Sequence, residues 1–264
     1  MGTGTSHAER VFRVQRAFVD LGGPDHSLSE LAETTGLDDS TVSRILQSGI
    51  YSGTFARPRR GRYQLARAVS ELAFQALSHD GLSGDEAHAV LQQLRLATDG
   101  GMVFLYMKAP FGGINRQCID MAVGDSDLVE LGMTPRDVLS VTRSLRTGAS
   151  GRTILAYLPP VLQQRVFDEP VPEEAGPGVY QDNDELRDSL ADIRDQGYAV
   201  GYQECMSGWN SCAAPIMWDS SIMGAVLLLR PAQLMPHAPQ KVIDATKHAA
   251  ARLSRLGGGD WPAG

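Results

Sequence analysis

Three helical periodicities follow one another in the first fifty residues. Val11, Val14, Phe18 and Leu21 recur at spacings of three and four, one face of a helix over about 9–21 that stops at Gly22-Gly23-Pro24. Ser27 with Glu30 three residues on is a capping box for a second helix, in which the hydroxyl and the carboxylate each satisfy a free backbone N–H. That helix buries Leu28, Leu31 and Ala32 and ends at Gly36, where the absence of a Cβ allows the left-handed turn. A third helix, from an N-cap at Asp39 to about Ser48, buries Val42, Ile45 and Leu46. Ala32, Gly36, Leu37, Val42 and Ile45 are spaced as a helix-turn-helix needs them, a unit that holds its second helix outward into a major groove. The side chains left facing outward are Ser40, Thr41, Ser43, Arg44 and Gln47, types that read base edges and phosphates.

Alternation then replaces the helical period. Thr54-Phe55-Ala56 and Arg62-Tyr63-Gln64-Leu65 read as two short strands around a tip of Arg57-Pro58-Arg59-Arg60-Gly61, a β-hairpin with Pro and Gly at its turn. A basic hairpin directly after a recognition helix is a wing, and its Arg57, Arg59, Arg60 and Arg62 suit flanking phosphates or a narrow minor groove. An apolar-striped helix over about 65–78 follows, and Ser83 with Glu86 predicts a second capping box opening a helix to about Thr98. Strands are expected at 102–108 and 114–122, helices from Thr134-Pro135 through Leu158 and over 184–196, strands at 198–202, 211–217 and 223–229, and a last helix over 240–256. Strands at both ends with helices between and around them predict an α+β domain, one antiparallel sheet with packed helices.

Charge sharpens this division. The 264 residues carry a net −7, which argues against a chain coated in basic surface, yet residues 1–78 hold nine Arg against eight Asp or Glu. Between Ser40 and Ser70 there are six arginines and no carboxylate, a local positive stripe suited to the phosphate backbone. Cys118, Cys205 and Cys212 make neither an even set nor a CxxC pair, so neither a disulfide framework nor a thiolate zinc site is expected. The opening MGTGTSHAER lacks the basic and apolar regions of a signal peptide, and the densest apolar run, Ile222 to Leu229, is far too short for a bilayer. A cytoplasmic protein with no membrane partner is expected.

The run SLSELAETTGLDDSTVSRIL, with the basic hairpin ending in GRYQLARAVSELA, resembles the winged helix-turn-helix and linker helix of IclR-type bacterial transcription regulators. GASGRTILAYLPP at 148–160, DIRDQGYAV at 192–200, and SCAAPIMW with MGAVLLLRP across 211–231 resemble, in the same order, the GAF-like effector-binding domain of that family. The resemblance implies a DNA-binding domain over 8–69, a linker helix over 70–80, an effector domain over 81–257 and a flexible tail over 258–264. It also implies a homodimer or tetramer on operator DNA, and an effector pocket involving Gly148, Ala149, Trp209, Ser211, Leu227 and Leu229. Gly148 itself opens a helix whose N–H groups and positive dipole end suit an anion or a carbonyl oxygen. Gly148 stands where the family often has Thr, and Leu227 and Leu229 where members that bind small carboxylic acids have Ser. Losing two hydroxyls makes a buried carboxylate costly, so the expected effector is larger and more apolar or aromatic, or the pocket has lost its ligand.

No catalytic constellation competes with this reading. The six histidines (His7, His26, His79, His88, His237, His248) show no HxxxH or HExxH spacing, and GxSxG, P-loop and strand-borne GxGxxG motifs are absent, so no metal, cofactor or enzyme activity is expected. Asp125 with Asp127 and Glu173 with Glu174 read as solvated turns, and the cysteines around Trp209 as small hydrophobes rather than redox sensors. The expected protein is a ligand-responsive transcription regulator, with repression ranked before activation. The alternative is a GAF-like small-molecule sensor whose tri-helical unit docks onto protein.

Overall fold

A computed structural model describes residues 6–77, 84–110, 113–124, 127–130 and 133–258. The chain forms two compact units divided near residue 80, with Pro159–Leu162 counted in the first. The first contains α1 (His7–Leu21), β1 (His26–Ser27), α2 (Leu28–Thr35), α3 (Asp39–Tyr51), β2 (Phe55–Arg59), β3 (Arg62–Leu65) and α4 (Arg67–Leu77). The capping box forms as its sequence requires, with Ser27 Oγ accepting from Glu30 N at 3.2 Å and Glu30 Oε2 accepting from Ser27 N at 2.6 Å. Gly36 ends α2 in the left-handed conformation at φ 65°.

Two boundaries differ from expectation. The N-cap of α3 is Asp38 rather than Asp39, because the Asp38 carboxylate accepts from Thr41 N at 2.8 Å and from the hydroxyls of Ser40 and Thr41 at 2.6 and 2.8 Å. Those hydroxyls, Ser40 first, hold the Asp38 carboxyl far below the usual carboxylate range. The helix also runs past Ser48 to Tyr51, since Ile50 still packs on the core and Ser52 N closes the last turn on Ser48 O at 3.1 Å. Val14, Phe18, Leu31, Val42, Leu46, Phe55 and Tyr63 form that core, with the Phe18 and Phe55 rings stacked at 5.3 Å. The hairpin strands pair as β1-β3-β2, the added β1 being a two-residue strand that sequence periodicity cannot show.

The second unit begins with α5 (Asp85–Ala97), whose N-cap is Gly84 with no side-chain cap bond; the expected Ser83–Glu86 box rests on Ser83. Ser83, like Ser78, His79, Asp125 and the tail residues 259–264, lies outside the described residues. Then come β4 (Met102–Lys108), β5 (Asn115–Ala122), α6 (Asp127–Glu130), α7 (Pro135–Leu139), β6 (Thr142–Ser144) and α8 (Gly148–Ala156). After these the chain makes α9 (Pro160–Phe167), α10 (Asn183–Gln196), β7 (Ala199–Tyr202), β8 (Trp209–Trp218), β9 (Ser221–Pro231) and α11 (Gln240–Gly258). The continuous helical stretch expected through Leu158 is broken by β6, which hydrogen-bonds along the edge of β5.

The six strands form one antiparallel sheet in the order β6-β5-β4-β9-β8-β7, an α+β arrangement with both faces covered. Alternate residues serve opposite faces. Val103, Leu105, Ala214, Ile216, Val226 and Leu228 pack against α5 and α11. Phe104, Tyr106, Ala213 and Leu227 point the other way, where α8 crosses β8 and β9. Among the described residues no helix is long and apolar enough to cross a membrane.

Replacing Asp38 with Ala is expected to lower the thermal midpoint of the first unit by about 3–6 °C at neutral pH. Because its folded pKa lies below the unfolded one, the contribution is full above the usual carboxylate value and declines as pH falls from there toward the lowered folded value, so the gap between wild type and variant narrows steadily with acidification in a thermal-melt pH series.

Candidate functional sites

On α3 the exposed residues are Asp39, Ser40, Arg44, Gln47, Ser48 and Tyr51, of which the last five form one continuous stripe at helical spacing, with Ser43 half-buried beside it. Thr41 departs from the outward orientation expected of it: it is buried, its hydroxyl donates to Asp38, and Arg44 Nη2 reaches it at 3.5 Å. Tyr51, 97% exposed at the end of α3, was not among the expected residues. Continuing the three-four spacing one turn past Ser48 would have found it.

In the hairpin, Arg57, Arg59 and Arg60 are exposed, whereas Arg62 is half-buried and occupied. Arg62 Nε donates to Asp25 Oδ1 at 2.6 Å, Nη1 to Glu30 Oε2 at 2.8 Å and Nη2 to the Asp25 carbonyl at 2.5 Å. Arg59 shares Asp25 at 3.2 Å but stays largely exposed, and Arg57 lies 5.9 Å from the Tyr63 ring centroid. The first of the arginine contacts, that of Arg62, holds the Asp25 carboxyl below its usual range. Arg62 therefore fastens the hairpin to the start of α2, leaving Arg57, Arg59 and Arg60 as the exposed cations of the tip, Arg59 with one exposed ion pair to Asp25.

The expected pocket residues gather on the α8 face of the sheet. Ser211 pairs with Leu229 and Ala213 with Leu227 across β8 and β9, Trp209 stands half-buried at the start of β8, and Gly148 and Ala149 are buried at the start of α8. Gly148 has φ +73°, and a Cβ there would stand 2.2 Å from Cys205 Sγ. Backbone conformation and neighbour thus both exclude a side chain at this position.

Sequence reasoning missed the charged side chains around this helix start. Arg116 of β5 is 1% exposed and its guanidinium lies 5.2 Å over the Tyr106 ring. One turn into α8, Arg152 Nε and Nη2 donate to Glu204 at 2.9 and 2.5 Å, both residues being buried, and the guanidinium stacks 4.8 Å from the Tyr180 ring. Glu204 thereby anchors the loop that brings Cys205 to Gly148. Burial pushes the thiols of Cys118 and Cys212 up to about 12, the opposite of what a reactive thiolate needs, whereas Cys205 is an exposed residue. Among the described residues no group of three His, Cys, Asp or Glu is placed to hold a metal.

A model of the bacterial transcriptional regulator IclR C-terminal domain matches residues 140–255, and one of the IclR helix-turn-helix domain matches residues 8–48. The chain is 32% identical over 118 residues to a probable HTH-type transcriptional regulator ArcR of Halobacterium salinarum, an alignment covering 42% of this chain and 45% of that one, so that it spans less than half of that relative. It is 27% identical to a probable transcriptional regulator SauR of Cupriavidus necator over 81% of each chain. Among solved structures, a putative IclR transcriptional regulator from a Silicibacter species matches at TM-score 0.58 and 20% identity over 98% of each chain. An IclR homologue from Microbacterium hydrocarbonoxydans complexed with 4-hydroxybenzoate matches at TM-score 0.56 and 19% identity, over 94% of this chain and 98% of that one. These likenesses establish the fold, and the curated relatives are regulators rather than enzymes.

Glu204→Gln is expected to destabilise the second unit by about 3 kcal/mol in urea unfolding, since Arg152 is left buried without its counter-charge. The double variant Arg152→Met, Glu204→Leu is expected to recover most of the loss.

Proposed function

The chain belongs to the IclR-type bacterial transcriptional regulators, and we propose that it is a cytoplasmic, homodimeric repressor that releases operator DNA when a small molecule binds its C-terminal domain. The observation that carries the DNA reading is the exposed stripe of Ser40, Arg44 and Gln47 on a helix whose opposite face, Val42, Ile45 and Leu46, is locked into the core. Arg44 has the reach and the fork to pair with a guanine edge, and Gln47 with an adenine. Arg57, Arg59 and Arg60 neutralise phosphates beside the half-site, while Arg62 sets the angle of the wing through Asp25 and Glu30. Two such units in a dimer fit a pseudo-palindromic operator with half-sites about one helical turn apart.

Residues 8–69 serve as the reader, 70–80 as the linker helix and 81–257 as the sensor, with 258–264 as a tail. The effector lies between the start of α8 and the facing strands, where Gly148, Ala149, Trp209, Ser211, Leu227 and Leu229 converge. Support comes from the relative of like fold that is complexed with 4-hydroxybenzoate. Effector and operator are coupled reciprocally: whatever factor the effector takes from operator affinity, the operator takes from effector affinity.

Gel shifts with DNA from upstream of the protein's own gene separate the arginine roles. Arg44→Ala is expected to lose about 1–3 kcal/mol on specific sites only. Arg60→Ala is expected to weaken binding to all sequences and to reduce the salt slope by about one ion. Arg62→Ala is expected to lower the thermal stability of the reader along with its affinity. If Arg44→Ala and Arg60→Ala both bind as wild type does, the assignment fails.

A further inference from the structure

We propose that Tyr51 is a contact to the DNA backbone, its ring laid against a sugar and its hydroxyl donating to a phosphate at the edge of the half-site, an inference that rests on the DNA reading above. The residue is the last of α3 and is 97% exposed, so ring and hydroxyl both stand in solvent. Successive residues of an α-helix turn by about 100°, which places Ser40, Arg44, Gln47 and Tyr51 within about 60° of one another around the helix. The face that turns the first three toward base edges therefore turns Tyr51 toward the same duplex.

Length decides what Tyr51 meets there. At about 1.5 Å per residue it lies about 16 Å along the helix from Ser40, whereas the major groove is about 12 Å wide. A helix that crosses the groove with Ser40 and Arg44 over the bases brings its last turn against the sugar–phosphate wall. A phenol suits that wall, because its hydroxyl donates to a phosphate oxygen while its ring covers apolar sugar.

The last turn of α3 is held in place for this contact. Ile50 packs on the core, Ser52 N closes on Ser48 O at 3.1 Å, and a Cβ on the buried Gly49 would overlap the Phe55 ring. A side chain on a fixed turn loses little backbone freedom on binding. The electrostatics agree. Ala66 N donates to the Thr54 carbonyl at 2.9 Å and Ala68 N to the Gly53 carbonyl at 3.4 Å, so α4 starts beside the residues that follow Tyr51. Arg67, the first residue of α4, thereby comes to the same end of the unit. Its side chain is 92% exposed and pairs with the exposed Glu71 at 3.4 Å, a surface pair weak enough to yield to a phosphate. No carboxylate between Ser40 and Ser70 opposes an anion here.

The test is salt-titrated gel shifts of the full-length protein on the fragment upstream of its own gene and on an unrelated fragment of equal length. Tyr51→Phe is expected to weaken binding to both by about tenfold, the loss of one hydrogen bond to a charged acceptor, with the salt slope unchanged because no cation is removed. Tyr51→Arg keeps a donor and adds a charge, so it is expected to bind both at least as tightly as wild type with a slope steeper by about one ion, and Arg67→Ala to flatten the slope by about one ion. In a scan of single methylphosphonates along the half-site, one position is expected to weaken wild type and to leave Tyr51→Phe unaffected. The proposal is overturned if Tyr51→Phe and Tyr51→Ala bind as wild type does, or if no methylphosphonate distinguishes them from it. It is overturned equally if the loss is confined to the upstream fragment, which makes Tyr51 a base reader, or if Tyr51→Ala changes the oligomeric state in sedimentation, which places the ring between copies of the chain. Arg44→Ala on the same gels separates the levels of failure. A loss of specific affinity in that variant alone leaves the DNA reading standing without Tyr51, whereas wild-type binding by all of them defeats the DNA reading itself.

Discussion

A helix that starts inside a protein brings with it several N–H groups that water cannot reach, and their satisfaction governs everything packed around them. Helix α8 starts in this way, beneath a sheet already covered on its other face by α5 and α11. The consequences spread outward from Gly148. Its positive φ admits no side chain, the space is taken by Cys205, and the loop carrying Cys205 is fixed by the buried Arg152–Glu204 pair. Buried charge is concentrated at this point, with Arg116, Arg146 and Arg152 all almost fully enclosed.

In the reader the starts of α2 and α3 are capped locally instead. Ser27 and Glu30 close the first turn of α2, Asp38 closes that of α3, and Arg62 returns from the hairpin to bind both Asp25 and Glu30. Recognition helix and wing are thereby held by a satisfied polar frame over one apolar core, and their free side chains can be spent on an outside partner.

Much of this was legible in the amino-acid sequence because it depends on local patterning. The capping box at Ser27, the turn at Gly36, the hairpin after α3 and the strands at 102–108 and 223–229 each rest on residues within a few positions of one another. What was not legible depends on distant pairs. Arg62 read as a phosphate contact because Asp25, far away in sequence, cannot be seen beside it. Thr41 read as outward because the choice of Asp38 over Asp39 as cap decides which hydroxyl is drawn inward. The burial of Arg116 was invisible, since only the register of β5 against β6 and the path of α8 show where its guanidinium lies.

The net charge of −7 combines an acidic second part with a six-arginine, carboxylate-free stretch over the recognition helix and wing. An acidic body discourages indiscriminate adherence to DNA and leaves engagement to the winged face. Sequencing genomic fragments selected by the purified protein is the most direct measurement of this division of labour. A sequence-reading dimer enriches a few fragments that share a pseudo-palindrome with half-sites about one helical turn, or a multiple, apart. Recovery of the genome without enrichment, or enrichment unchanged by Arg44→Ala, would contradict the role given to α3.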